Sequence, residues 1–145
     1  MKTREMKSVY FVGAGGIGMS ALVRYFLTKG YNVGGYDKTP SELTEKLIEE
    51  GAKIHYEENV DDIDEQKEST LVVYTPAIPA EHREMVFFRE NGFEIQKRAQ
   101  VLGFLTQSHK GLCVAGTHGK TTTSTMAAHL LHQSHEDCNA FLGGI

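Results

Sequence analysis

The chain has 145 residues, enough for one ordinary domain, and its 40% hydrophobic and 23% charged residues are typical of a globular protein. A net charge of −4 gives no overall basic surface, which argues against a nucleic-acid partner. No run approaches the roughly 18 apolar residues of a membrane span, and the N-terminus lacks the apolar core of a secretory signal. With two cysteines and no disulfide framework, we expect a cytoplasmic protein.

Apolar runs and helically spaced segments alternate along the chain. The pattern predicts strands at residues 8–12, 31–36, 52–55, 70–74 and 93–96, and helices at 17–29, 42–50, 81–91 and 99–107. The acidic stretch 57–68 is expected to be a solvated loop. Such alternation with short connections predicts an α/β fold, a Rossmann-like parallel sheet with helices on both faces.

A second unit is expected to begin after residue 107. Residues 108–111 are polar and end in glycine, and a new apolar strand at 112–115 and a helix at 120–133 are predicted to follow. We therefore expect residues 1–107 to form one nucleotide-binding domain. Residues 108–145 would be the first strand and helix of a second, truncated α/β domain.

The first predicted strand leads into a glycine-rich loop. Gly13, Gly15 and Gly18 have the spacing of the dinucleotide-binding fingerprint, in which a tight turn brings the backbone close to a diphosphate. Asp37 ends the second strand, where the fingerprint places an acid beside a ribose. The motif fixes only a diphosphate next to a ribose, so a nicotinamide dinucleotide and other nucleotides remain open.

A second phosphate loop lies at residues 116–121 and resembles a Walker A loop, with Val114 where the strict form has glycine. Lys120 is expected to reach the β- and γ-phosphates of ATP and to act in catalysis, and the Thr121 hydroxyl to bind Mg²⁺. His118 either contacts a phosphate or only shapes the loop. The predicted ATP-phosphate residues are Gly116, Thr117, His118, Gly119, Lys120, Thr121 and Thr122.

Two weaker features follow predicted strands. Arg98 could pair with a ligand phosphate or be a surface arginine. Residues 75–79 begin at the carboxyl end of a strand, where ligands of parallel sheets bind. By contrast, the series His129, His132, His135 and Cys138 drifts around a helix and does not converge as a metal site requires.

Several runs together resemble the Mur ligase family over essentially the whole chain. They are residues 13–20, 35–37, 75–78, 97–99 and 115–123, with Gly143 and Gly144. The resemblance implies that the first loop binds a UDP-sugar. The implied UDP-substrate residues are Gly13, Gly15, Gly16, Ile17, Gly18, Met19, Ser20, Asp37, Thr75, Ala77, Ile78 and Arg98. Pro76 departs from the family's usual serine and removes one N–H donor.

The resemblance further implies a three-domain ligase of peptidoglycan precursor synthesis, with ATP and Mg²⁺ as cofactors. The implied reaction is phosphoryl transfer from ATP to the carboxylate of UDP-N-acetylmuramate, then attack by the amine of L-alanine on the acyl phosphate. We expect this chain alone to be inactive, because most of the ATP domain and the alanine site are missing. The alternatives are a ligase that recycles muropeptides, an NAD(P)-dependent oxidoreductase domain and a nucleotide-sensing module.

Overall fold

A five-stranded parallel sheet forms the centre of the molecule in the computed structural model, which describes residues 6–61, 63 and 66–142. The strands are β1 Ser8–Val12, β2 Asn32–Tyr36, β3 Lys53–His55, β4 Thr70–Tyr74 and β5 Glu94–Lys97, in the order β3-β2-β1-β4-β5. The helices are α1 Ile17–Thr28, α2 Glu42–Glu49, α3 Arg83–Glu90, α4 Arg98–Gln107 and α5 Lys120–Gln133. Every neighbouring pair of strands is parallel.

Alternation along the strands divides the core into two layers. Val9 and Phe11 of β1 point to the layer that α1, α2 and α4 cover, whereas Tyr10 and Val12 point to the layer that α3 covers. The central strands are buried on both sides, which is why they are almost continuously apolar. The predicted parallel sheet with helices on both faces is confirmed.

The strand order creates a crevice between β1 and β4. The chain leaves β1 toward one face of the sheet to form α1, and it leaves β4 toward the other face to form α3. Ligands of open parallel sheets bind at such a switch point, outside the carboxyl ends of the strands. The loops at residues 13–16 and 75–82 are therefore the two walls of the candidate site.

Local sequence signals place most element boundaries. The Ser41 hydroxyl caps α2 by accepting from the N–H of Thr44 at 3.2 Å, as a serine before a helix predicts. Gly30 follows α1 with φ of +81°, a conformation that glycine adopts without strain. Observed and predicted ends differ by two residues or fewer for most elements, and β1, β4 and α5 have the predicted bounds. None of the helices in the described residues is long and apolar enough to cross a bilayer.

The strand predicted at residues 112–115 does not form. These residues pair with none of the five strands, Leu112 is 77% exposed, and Cys113 is also exposed, whereas an apolar strand in a sheet would bury them. An extended apolar segment becomes a strand only when another strand pairs with it and a second layer covers it. The helix that follows, α5, likewise has no buried side chain.

Contacts to Tyr25 of α1 connect residues near the end of the chain to the sheet domain described above. The centroid of the Phe141 ring lies 5.9 Å from that of the Tyr25 ring, and the centroid of the His109 ring lies 6.5 Å from it. Phe141 also packs against the core layer beneath α1. The segment after residue 108 is thus attached at both ends, while α5 between them stays exposed.

Candidate nucleotide site

The first loop is held in a tight turn between β1 and α1. Gly13 has φ of +90°, and its N–H and that of Ala14 both donate to the carbonyl of Tyr36, at 2.8 and 2.9 Å. A Cβ atom on Gly13 would lie 3.3 Å from Cδ1 of Ile78 and 3.9 Å from Oγ1 of Thr75. The loop after β4 therefore lies directly against the glycine turn.

The N-terminus of α1 offers unpaired backbone donors. Gly16 precedes the helix and provides no side-chain cap, while the N–H groups of Met19 and Ser20 donate to its carbonyl at 2.9 and 2.8 Å. Within the described residues, the N–H groups of Ile17 and Gly18 donate to no protein acceptor. Free N–H groups and the helix dipole make this end of α1 suitable for an anion.

Arg98 lies across this helix end. It is the first residue of α4, and its Nη1 atom would be 2.7 Å from a Cβ built on Gly18. The guanidinium makes no hydrogen bond or ion pair with the part of the chain that the structure describes. An unpaired guanidinium beside free N–H groups can bind a phosphate through several donors at once.

Asp37 contacts the loop from the end of β2. Its Oδ2 atom accepts from the N–H of Gly15 at 2.7 Å, and its Oδ1 atom accepts from the N–H of Thr39 at 3.1 Å. A Cβ on Gly15 would come within 2.9 Å of that carboxylate and 2.7 Å of Cγ2 of Thr44. Only glycine fits at this position.

The other predicted UDP-substrate residues differ in exposure. Ile17 is 50% exposed and Ala77 is exposed, so both can meet a ligand. Met19 and Ser20 are buried, and the Ser20 hydroxyl donates to the carbonyl of Ile17 at 2.8 Å. These two side chains support the first turn of α1 from within.

The second loop is exposed throughout. Gly119 caps α5 with φ of +75°, which an L side chain rarely adopts, and the N–H of Thr123 donates to its carbonyl at 3.0 Å. The ammonium of Lys120 donates to the carbonyl of Gly116 at 2.7 Å, across the loop. Thr121 is exposed at the helix start. The ammonium group of Lys120 therefore lies on the loop backbone, at the exposed start of α5.

The sequence analysis did not identify Thr44 and Tyr56, which lie behind the first loop. Thr44, fully buried, packs its methyl group against Gly15, and its Oγ1 accepts from the hydroxyl of Tyr56 at 3.0 Å. Thr44 was not among the predicted site residues, and no local sequence pattern indicates that it reaches the glycine loop.

A buried polar cluster behind β1 was also missed. The hydroxyl of Tyr10 donates to Glu84 at 2.8 Å and lies 2.6 Å from Nε2 of His55. Burial raises the pKa of the Glu84 carboxyl. Nearby, burial lowers the pKa of His82, whose ring nitrogens have no hydrogen-bond partner within the described residues. The ring of His82 packs against Tyr36 at 4.6 Å between centroids.

The fold and the glycine-loop crevice define a nucleotide-binding α/β domain, and the comparisons identify its family. Residues 8–110 match the model described as Mur ligase family, catalytic domain. The chain belongs to the Mur ligase family, and the resemblance noted in the sequence is confirmed. Gly143 and Gly144, which contributed to that resemblance, lie outside the described residues.

The chain is similar to several individual ligases in sequence and in structure. The chain is 73% identical to UDP-N-acetylmuramate–L-alanine ligase of Phocaeicola vulgatus over 100% of its own length and 32% of the relative. It is 34% identical to the crystal structure of UDP-N-acetylmuramate-alanine ligase from Thermotoga maritima, with a TM-score of 0.85 over 95% of this chain and 32% of that one. A murein peptide ligase from Psychrobacter arcticus is 27% identical, with a TM-score of 0.79 over 89% of this chain and 27% of that one. The chain thus spans about a third of the length of the curated relatives it matches.

Proposed function

We propose that this chain holds the diphosphate of UDP-N-acetylmuramate at its first loop and belongs to a ligase that joins L-alanine to that sugar in peptidoglycan precursor synthesis. The observation that carries the proposal is the position of Arg98, whose free guanidinium lies against Gly18 at the uncapped start of α1. The 73% identical relative is a UDP-N-acetylmuramate–L-alanine ligase, which supports the choice of sugar nucleotide and amino acid. Because UDP-sugars and ATP are cytoplasmic metabolites, we place the enzyme in the cytoplasm.

In this proposal each wall of the crevice has a separate role. The N–H groups of Ile17 and Gly18 and the guanidinium of Arg98 bind the diphosphate. Thr75 and Ile78 close the opposite side against Gly13. Pro76 cannot donate a backbone hydrogen bond, so Thr75 supplies the polar contact of this wall through its hydroxyl.

Residues 108–145 are proposed to be the start of the ATP-binding domain, and residues 1–107 the UDP-sugar domain. The donors at the second loop fit a triphosphate, since Lys120 lies across it and α5 begins there. Mg²⁺-ATP supplies the phosphoryl group that activates the muramate carboxylate. Lys120 would offset negative charge on that group, and Thr121 would hold the metal ion.

Calorimetric titration with UDP-N-acetylmuramate, NADH and Mg²⁺-ATP tests this assignment. We expect the UDP-sugar to bind, and Arg98→Gln to weaken it about tenfold because a charged hydrogen bond to phosphate is lost. Arg24→Gln is the matched control, since Arg24 pairs with Glu50 at the surface, 2.8 Å away. Binding of NADH in place of the UDP-sugar would instead support the oxidoreductase alternative.

The chain spans about a third of the length of the curated relatives it matches. We therefore expect no ATP-dependent phosphate release when this chain alone is mixed with UDP-N-acetylmuramate and L-alanine, because catalysis by positioning needs both substrates held. Phosphate release above background would contradict this expectation. The second candidate is the muropeptide-recycling reaction, favoured by the likeness to murein peptide ligase. Comparing L-alanine with the tripeptide as acceptor for the full-length enzyme separates the two.

A further inference from the structure

The carboxylate of Asp37 is hydrogen-bonded to the protein backbone. Both oxygens accept hydrogen bonds from N–H groups, one from Gly15 at 2.7 Å and the other from Thr39 at 3.1 Å. In the dinucleotide-binding fingerprint, an acid at this position accepts a hydrogen bond from a ribose hydroxyl. Here the shorter of its two bonds goes to the middle glycine of the loop.

Gly15 is fixed from a second side by Thr44. The methyl group of Thr44 and the carboxylate of Asp37 together leave no space for a Cβ at Gly15. Thr44 is itself held firmly, since its hydroxyl donates to the carbonyl of Ser41 at 2.9 Å and accepts from Tyr56. Gly15 therefore sits in a pocket with a hydrogen bond on one wall and a packed methyl group on the other.

We propose that Asp37 is a positioning residue, which holds Gly15 so that the free N–H groups of the next residues face a diphosphate. A glycine-rich loop without this hydrogen bond samples many backbone conformations, and a ligand would have to order it on binding. With the bond in place the donors are arranged beforehand. The inference rests on the proposed function of the first loop and assigns a particular role within it.

This role makes a prediction that a ribose contact does not make. A loop held by Asp37 binds any ligand with two linked phosphates. Removing the bond therefore lowers the affinities for UDP and for inorganic pyrophosphate by the same factor. Removing a residue that binds the ribose would instead lower the affinity for UDP alone, because pyrophosphate has no ribose. The ratio of the two losses therefore separates positioning from direct recognition.

The first measurement needs no ligand. In ¹⁵N spectra of the chain, we expect the Gly15 amide proton to exchange at least about ten times faster in Asp37→Ala than in the wild type, because alanine offers no side-chain acceptor for this N–H. Asp61→Ala, which makes the same charge change at an exposed site, is the control. An unchanged rate of exchange at Gly15 in Asp37→Ala would overturn the proposal.

The second measurement compares UDP and pyrophosphate by titration of the same variants. We expect Asp37→Ala to weaken the binding of both ligands about five- to tenfold and Asp61→Ala to change the binding of neither. Loss of UDP affinity with pyrophosphate affinity retained would overturn the proposal in favour of a ribose contact. If neither ligand binds the wild type but the Gly15 amide responds as expected, Asp37 still positions the loop and the proposed function of the loop is wrong.

Discussion

Replacing Gly18 by alanine should stabilise α1 and weaken nucleotide binding at the same time. A Cβ at this position would lie 2.7 Å from Nη1 and 3.1 Å from Cζ of Arg98. Those atoms are the far end of a flexible side chain, so the guanidinium moves and the backbone does not. The helical backbone of Gly18 accepts alanine without strain, because its φ is not positive.

The two effects have different magnitudes. Alanine in place of glycine in a helix contributes about 0.5–1 kcal/mol, which corresponds to a rise in Tm of roughly 2–4 °C for a chain of this size. Removing a charged hydrogen bond from a phosphate costs about 1.5–3 kcal/mol, or roughly 10- to 150-fold in affinity. Because the Arg98 side chain can approach the ligand by another path, we expect a loss of about tenfold.

Gly103→Ala provides the matched control for this experiment. Gly103 lies in α4, the helix that carries Arg98, and a Cβ there meets no atom within 4 Å. Thermal melts and titrations with UDP-N-acetylmuramate should show a gain in Tm for both variants and a loss of affinity for Gly18→Ala alone. Wild-type affinity in a folded Gly18→Ala variant would refute the placement of Arg98 on the diphosphate.

Three further predictions concern other parts of the chain. Lys120→Gln should weaken Mg²⁺-ATP binding at least tenfold and leave UDP-sugar binding unchanged, as parallel titrations would show. Burial lowers the pKa of His82. As the pH falls below about 6.5, the unfolded chain therefore binds more protons than the folded chain, and the free energy of unfolding decreases. His82→Phe keeps the ring on Tyr36 and should flatten the fall in unfolding free energy between pH 7 and 5 in urea titrations; an unaltered pH dependence would contradict this. Phe141→Ala should increase hydrogen exchange across α5, because it removes the contact to Tyr25, and unchanged exchange would show that this contact does not anchor the helix.

The sequence predicted the parts of the site that depend on neighbouring residues. Three glycines between an apolar strand and a helix specify the turn at Gly13 and the uncapped start of α1, since both are local backbone requirements. The opposite wall at Thr75 followed from a general property of parallel sheets, whose carboxyl ends share one edge. Even Arg98, left open between a ligand contact and a surface position, lies at that edge because it directly follows β5.

Contacts between distant segments were not predictable in the same way. The bond from Asp37 to Gly15 was not predicted, and Gly15 is also in contact with Thr44, which α2 brings against the loop. The strand expected at 112–115 failed for the opposite reason. Its apolar pattern was present, but a strand needs a partner, and pattern alone does not reveal whether one is available.

The arrangement of acids explains how a chain with a net charge of −4 can offer an anion site. Three acids near the carboxyl edge of the sheet are bonded to protein donors. Asp37 accepts from Gly15, Glu58 accepts from the N–H of Arg83 at 3.0 Å, and Glu84 accepts from Tyr10. Arg98 pairs with no acid in the described residues. Net charge is therefore a poor guide to the first loop, because an unpaired guanidinium and a helix N-terminus lie there and Asp37, the carboxylate that contacts the loop, already accepts two hydrogen bonds.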